Sequence, residues 1–276
     1  MSLIRCGRHQ GLWLLMLLTI TNDKAWAWSA SVSGDLSVPF VQGDPVMSFA
    51  GSATYKFTEK YSLSLSQGVE KNLFIDSEVR EFELADSVIS FNVYPRSLIP
   101  KVGWTVRFLA TLPVSHNSQI NEVYSKPEVQ WTAAFPVIDT FNLALSAFVR
   151  YTWSRYETTK PQDLSGGMPL PEFSGGFGHS GNWTFLPDWT LSYGGSYSEI
   201  KYHTITYEGA GDPPIFDQPD QAYSLFIAVN WAITPLDSVN TSYSYGSILL
   251  QPGLDDYVLF DKEESRWAIG YVRSFE

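Results

Sequence analysis

The chain contains a single cysteine, Cys6, among its 276 residues, so no disulfide staples the fold and thiol chemistry is confined to the first few residues. Histidine is almost as scarce: after His9 only His116, His179 and His203 remain, a poor supply for metal binding or general-base chemistry. The one long apolar run, residues 11–20, is about half of the ~20 residues that a hydrocarbon-spanning helix needs. Charged residues are only 17% of the chain, which argues against a disordered polyelectrolyte. The formal net charge of -11 argues against nucleic acid as a partner.

What remains at the beginning has the order of an export leader. Arg5, Arg8 and His9 precede the apolar run, and the small-x-small tripeptide at residues 25–27 follows it, the arrangement of a secretory signal peptide with its cleavage site. The expected organisation is therefore a leader over residues 1–27 and one domain over 28–276, beginning near Trp28. Cys6 lies upstream of the apolar run, where a lipoprotein acceptor would not stand.

Aromatic residues are abundant, at 15% with ten tryptophans, and apolar residues recur with a period of two. Leu63 and Leu65 alternate with Ser62, Ser64 and Ser66; Trp104, Val106 and Phe108 alternate with Thr105 and Arg107; Leu143, Leu145, Ala147 and Val149 continue the pattern, as do Leu225, Ile227 and Val229. Period two means strand. The links between strands alternate as well. Short ones (residues 58–60, 94–100, 135–139, 186–188 and 234–238) interleave with long polar ones (112–122, 154–172, 203–220 and 251–264). Counting directions from residues 31–40 gives about twelve antiparallel strands with both ends on the short-turn side, as in outer-membrane barrels.

A soluble sandwich shares the alternation; what separates the two is where the rings fall. Tyr55, Phe57, Tyr61, Tyr94, Trp104, Phe135, Phe141, Phe185, Trp189 and Trp231 bracket the tight turns, while Tyr151, Trp153 and Tyr156 mark the opposite strand ends. Two belts of amphipathic rings suit two membrane interfaces. The complementary face, with Thr105, Thr132, Ser146, Asn182, Ser192, Ser224, Asn230, Asn240 and Ser244, is too polar for a dry core.

The last strand, "WAIGYVRSFE", carries alternating large apolar residues, with Gly270, Tyr271 and Phe275 near the end. It resembles the terminal export signal of bacterial outer-membrane β-barrels, with Glu276 after the aromatic and Arg273 at a usually apolar position as departures. The resemblance implies an all-β, transmembrane, antiparallel up-and-down barrel in the outer membrane of a Gram-negative bacterium. It also implies partners: outer-membrane lipid, lipopolysaccharide, and the barrel-assembly machinery that reads the last strand.

About twelve strands is a size between filled and open barrels. Small inward residues, notably Gly176, Gly178, Ser180, Ser192, Gly194, Ser196 and Ser198, point to a wet lumen. Arg107, Lys126, Glu128 and Arg150 fall on the same face, where burial without water would cost several kcal/mol each. They are the candidate lumen or constriction residues, with Arg107 expected nearly opposite Glu128 and Arg150 on the next strand. Glu70 and Asp86 are further candidates for the inner face. The resulting expectation is a monomeric channel for passive diffusion of small polar or charged solutes, with no cofactor, no metal and no catalytic residue. In a pore, a basic-leaning wall opposite a Ser/Gly wall gives some preference for anions or sugar acids; the same charges in ion pairs would instead plug the lumen.

Competing readings rest on fewer residues. His116 and Ser118 stand two apart on an expected strand face, a spacing resembling outer-membrane phospholipases, and His179 adjoins Ser180, yet neither has an orienting third group placed by sequence. The loop at residues 154–172 is long enough for an adhesin. The acidic residues Asp212, Asp217, Asp220, Asp255, Asp256, Asp261, Glu263 and Glu264 form an expected outer rim, in a spacing that matches no calcium loop.

Overall fold

The computed structural model describes residues 27–39, 45–73, 82–96, 99–156, 170–203, 220–250 and 265–275; nearly all of the expected leader and most of the long links lie outside them. Fourteen strands and one short helix follow in chain order: β1 Ala27–Pro39, β2 Val46–Thr58, β3 Tyr61–Asn72, β4 Phe82–Leu84, β5 Ser87–Val93, β6 Gly103–Leu112, α1 His116–Ile120, β7 Val123–Ile138, β8 Phe141–Tyr151, β9 Trp153–Ser154, β10 Pro171–Leu186, β11 Trp189–Tyr202, β12 Asp220–Ala232, β13 Asp237–Leu250 and β14 Arg266–Phe275. All neighbours are antiparallel, and β1 pairs with both β2 and β14, closing the sheet. The short strands β4 and β9 extend the staves of β5 and β8, so the barrel has twelve staves, the number expected from the alternation.

Register fixes which face each residue serves, because directly paired residues share a face. One ladder row runs Ala27, Lys56, Ser62, Asn92, Arg107, Gln130, Phe148, Gly176, Ser198, Ala222. It starts at the short-turn end of β1 and finishes near the loop end of β12, which is the oblique climb that closing a tilted sheet requires. Asn92 donates to Ser62 Oγ at 3.0 Å and to Ser64 Oγ at 3.2 Å inside the barrel, so this row, Arg107 included, points inward. The adjacent row holds Phe108, Val129 and Val149 and points out.

The outward face is apolar and unprotected. Phe49, Phe91, Phe108, Val129, Trp131, Leu145, Val149, Phe177, Leu225, Ile227, Trp267 and Ile269 are all exposed on it. Ring pairs gather toward the strand ends, as expected. Trp28 meets Tyr55 with centroids 4.5 Å apart, Tyr61 stacks on Phe91 at 5.9 Å, Trp104 on Trp131 at 5.1 Å and Trp189 on Trp231 at 5.6 Å near the short turns. Tyr124 meets Trp153 at 5.5 Å and Tyr151 meets Phe173 at 4.9 Å near the loops. No helix among the described residues is long and apolar enough to cross a membrane; the strands do the crossing.

Local chemistry sets the turns. Thr58 Oγ1 accepts from the Lys60 amide at 3.1 Å. Thr234 Oγ1 accepts from the Leu236 and Asp237 amides at 3.2 and 3.0 Å while donating to Asp237 Oδ2 at 2.7 Å, a side-chain mimic of a backbone turn. Between β7 and β8 the tight turn is shorter than the sequence indicated: β7 runs through Ile138, with a register shift between Pro136 and Ile138, and leaves only Asp139 and Thr140 to turn. The strand expected to run unbroken to Trp153 is interrupted at Thr152, whose amide donates to the Glu172 carbonyl.

Candidate lumen site

The inner face is a hydroxyl and amide surface whose members bond to one another across strands. Ser31 meets Ser52 at 2.7 Å, Thr54 donates to Ser64 at 2.9 Å, Ser192 donates to Asn182 at 2.7 Å, Asn230 donates to Ser192 at 3.2 Å, and Ser196 meets Ser224 at 2.8 Å. Each hydroxyl has one donor and two acceptor positions, so single bonds like these leave capacity toward the lumen.

The four expected charged residues all point inward, but their pairing differs from the expectation by two positions. Arg107 stands opposite Gln130, not Glu128; Glu128 is opposite Leu109 on one side and Arg150 on the other. Glu128 therefore pairs with Arg150, whose Nε and Nη2 lie 2.7 and 2.6 Å from Oε2. Lys126 turns instead to Asp86, 3.3 Å away. Arg107 has no ion-pair or hydrogen-bond partner among the described residues and is exposed within the barrel. The Arg150 side chain is 45% exposed although it points into the cylinder, while that of Glu128 is 10% exposed, so the guanidinium borders open space and its carboxylate partner is largely covered.

The inner face carries a second set of charges, which alternation alone does not bring together. In strand order β1 lies six steps from β8 in either direction, so Asp35 stands across the lumen from Arg150. From Asp35 a single row runs through Ser48 and Glu70 to Glu83, round to the stave beside β6. Asp35 is paired with Gly270, and a Cβ on Gly270 would overlap Asp35 Oδ1 and stand 2.9 Å from the Asn240 amide nitrogen. The glycine of the last strand is thus the gap into which an inward carboxylate reaches. With Asp86, Glu128 and Asp220, the described residues hold six inward acids against five inward bases, Lys56, Arg107, Lys126, Arg150 and Arg266. The expected basic wall facing a Ser/Gly wall is corrected to acids and bases interleaved on neighbouring staves.

The inward glycines are also less open than expected. A Cβ on Gly176 would stand 2.9 Å from Phe148 Cε1, and one on Gly194 would overlap the ring of Phe226. Phe148 and Phe226 both point inward, opposite Gly176 and Gly194 respectively, and the missing side chains are their seats. Nothing in the sequence flagged them, because each sits inside a run whose neighbours are also apolar.

The mouth is shaped by α1. The Ser115 amide donates to Asp86 Oδ1 at 2.8 Å and Ser118 Oγ donates to Asp86 Oδ2 at 2.5 Å, while Ser115 Oγ caps the helix by accepting from the Ser118 amide at 3.2 Å. Asn117 Nδ2 donates to Glu83 at 3.1 Å. This corrects the strand expected at residues 116–118: His116 and Ser118 lie on a helix, and the Ser118 hydroxyl is buried and given to a carboxylate, so it is no nucleophile for His116. His179 points outward, opposite Leu145 and Gly195, whereas Ser180 points inward. No group of three or more potential metal ligands occurs among the described residues. The expected acidic rim lies mostly outside them; Asp220 begins β12 and accepts from the Tyr202 hydroxyl at 2.8 Å.

No protein-family model matches the sequence, and no curated protein matches it either. Solved structures match the fold over nearly the whole chain. An outer-membrane channel from Pseudomonas putida F1 is 13% identical with a TM-score of 0.58, covering 92% of this chain and 97% of that one. The NanC porin is 14% identical with a TM-score of 0.55, covering 88% and 98%, and the KdgM porin is 9% identical with a TM-score of 0.53, covering 89% and 99%. At such identities the likeness is one of fold: the chain has the architecture of an outer-membrane porin.

Proposed function

We propose that this chain is an outer-membrane channel through which small hydrophilic solutes diffuse passively, without chemistry. The observation that carries the reading is the pair of faces: a girdled apolar exterior, and a hydroxyl-lined interior in which charged side chains such as Arg107 and Arg150 remain exposed. A plug would bury those charges, and the described residues of the mouth bring no nucleophile and base together. The leader over residues 1–27 would take the chain to the periplasm, and the last strand would present it to the assembly machinery. Lipid and lipopolysaccharide would surround it.

Selectivity follows from the walls. Arg107, Lys126, Arg150, Lys56 and Arg266 share the lumen with Asp35, Glu70, Glu83, Asp86, Glu128 and Asp220, so the inward charges nearly balance. Such a lumen orients dipolar solutes and discriminates weakly between cations and anions. Purified protein in planar bilayers should give resolved conductance steps; Arg107→Ala should shift the reversal potential toward cations and Asp35→Asn toward anions. A bilayer that stays silent with folded protein would refute the channel.

A further inference from the structure

Inside a wall of serine and asparagine, one large apolar side chain stands open to the lumen. Phe226, the midpoint of β12, points inward between Gly194 on β11 and Ser244 on β13, and is 40% exposed. Its ring lies against the barrel wall over Gly194, where a Cβ would collide with it. The ring is thereby anchored at one edge, and the rest of it is open to the lumen. No other ring covers it among the described residues. Phe148, also inward, is covered: the Arg150 guanidinium lies 5.8 Å from its centroid.

The same ladder row continues from Phe226 through Ser244 to Arg266 on β14. Arg266 is exposed, shares its row with Pro39 on the far side, and has no ion-pair or hydrogen-bond partner among the described residues. Two strand spacings of about 4.8 Å separate the two backbones, and the long arginine side chain reaches part of that distance. An apolar platform and a guanidinium with no partner among the described residues, joined by a serine hydroxyl, match a ligand with a flat ring and one carboxylate.

We propose that Phe226, Ser244 and Arg266 form a subsite for small cyclic monocarboxylates, the ring stacking on Phe226 and the carboxylate accepting from Arg266. An exposed aromatic face gains by covering apolar surface and by ring stacking, and a guanidinium recognises a planar carboxylate through paired donors. The inference rests on the channel reading for the solute's access to the lumen, so binding is measured separately from conduction.

Saturation-transfer NMR on the full folded chain in detergent, with benzoate, benzamide and acetate as probes, reads the subsite directly. Benzoate should bind more tightly than benzamide, which lacks the charge, and than acetate, which lacks the ring. Phe226→Ala should weaken benzoate by roughly three- to tenfold and leave acetate unchanged, while Phe226→Tyr retains binding. Arg266→Gln should bring benzoate down to the level of benzamide. Faster migration of unheated samples on denaturing gels establishes that each variant is folded. Benzoate no tighter than acetate, or unaffected by Phe226→Ala, overturns the subsite even if the barrel conducts; benzoate binding by a barrel that does not conduct upholds the subsite and overturns the channel.

Discussion

At the scale of single residues, glycine positions separate space that is free from space that is taken. Gly51 on β2 points outward, and a Cβ added there would have the Ser31 carbonyl as its nearest neighbour, 4.0 Å away. A Cβ on Gly176 would meet the Tyr197 carbonyl, Phe148 and Ser198 together. Gly51→Ala should therefore be neutral or stabilise by up to about 1 kcal/mol, the usual gain from removing a strand glycine. Gly176→Ala should cost about 1–3 kcal/mol, because backbone must move. Urea unfolding of the barrel in detergent checks both. The inward ion pair of Glu128 and Arg150 belongs at this scale too. With Arg150 45% and Glu128 10% exposed, the pair is partly screened and contributes on the order of 1 kcal/mol, so its removal should alter ion selectivity more than stability.

At the scale of elements, the joint between β4 and β5 shows how a barrel handles an interrupted stave. The pairing of β3 passes from β5 to β4 around Ala85 and Asp86. Outward Gln67 fills the break, donating to the Ala85 carbonyl at 2.6 Å and accepting from the Ser87 hydroxyl. Inward Asp86 holds α1 through Ser115 and Ser118 and reaches β7 through Lys126. An otherwise open strand edge beside β4 is thus protected by a loop held in place by one carboxylate. Asp86→Ala should raise hydrogen exchange of the amides at residues 115–121 by roughly tenfold or more, as a local opening, with little change in global unfolding. Asp86→Asn, which keeps an acceptor for the Ser115 amide, should give a smaller increase. Equal exchange in all three proteins would show that the loop is held by something else.

At the scale of the whole molecule, the orientation of the two faces governs everything else. Leu145, near the middle of β8, is 47% exposed on the outer face, where hydrocarbon takes the place of a core. Leu145→Arg should cost about 2–4 kcal/mol of folding into bilayers, the midplane value for an outward arginine. Arg273 is tolerated on the same face because it stands near the short-turn end, 3.6 Å from Asp237 and with Phe275 under its guanidinium at 5.7 Å. Arg273→Ala should change folding free energy by no more than about 1 kcal/mol. Reversible folding into lipid vesicles gives both numbers; equal costs at the two positions would mean that the outer face does not meet a bilayer.

The barrel itself was legible in the chain because its physics is periodic: alternation every second residue, short links alternating with long ones, and rings at strand ends each follow from a tilted sheet between two interfaces. Facing direction was legible for the same reason, so Arg107, Lys126, Glu128 and Arg150 were placed inward from sequence alone. Their partners were not. Partnership depends on register between strands, which is fixed by turn lengths, bulges and interrupted staves; two positions of shift move Arg107 from Glu128 to Gln130 while preserving its face. The acidic row of Asp35, Glu70 and Glu83, the α1 loop held by Asp86, and the open ring of Phe226 on Gly194 all bring together residues far apart in the chain. Closure of the sheet creates those neighbours, and no local pattern encodes them.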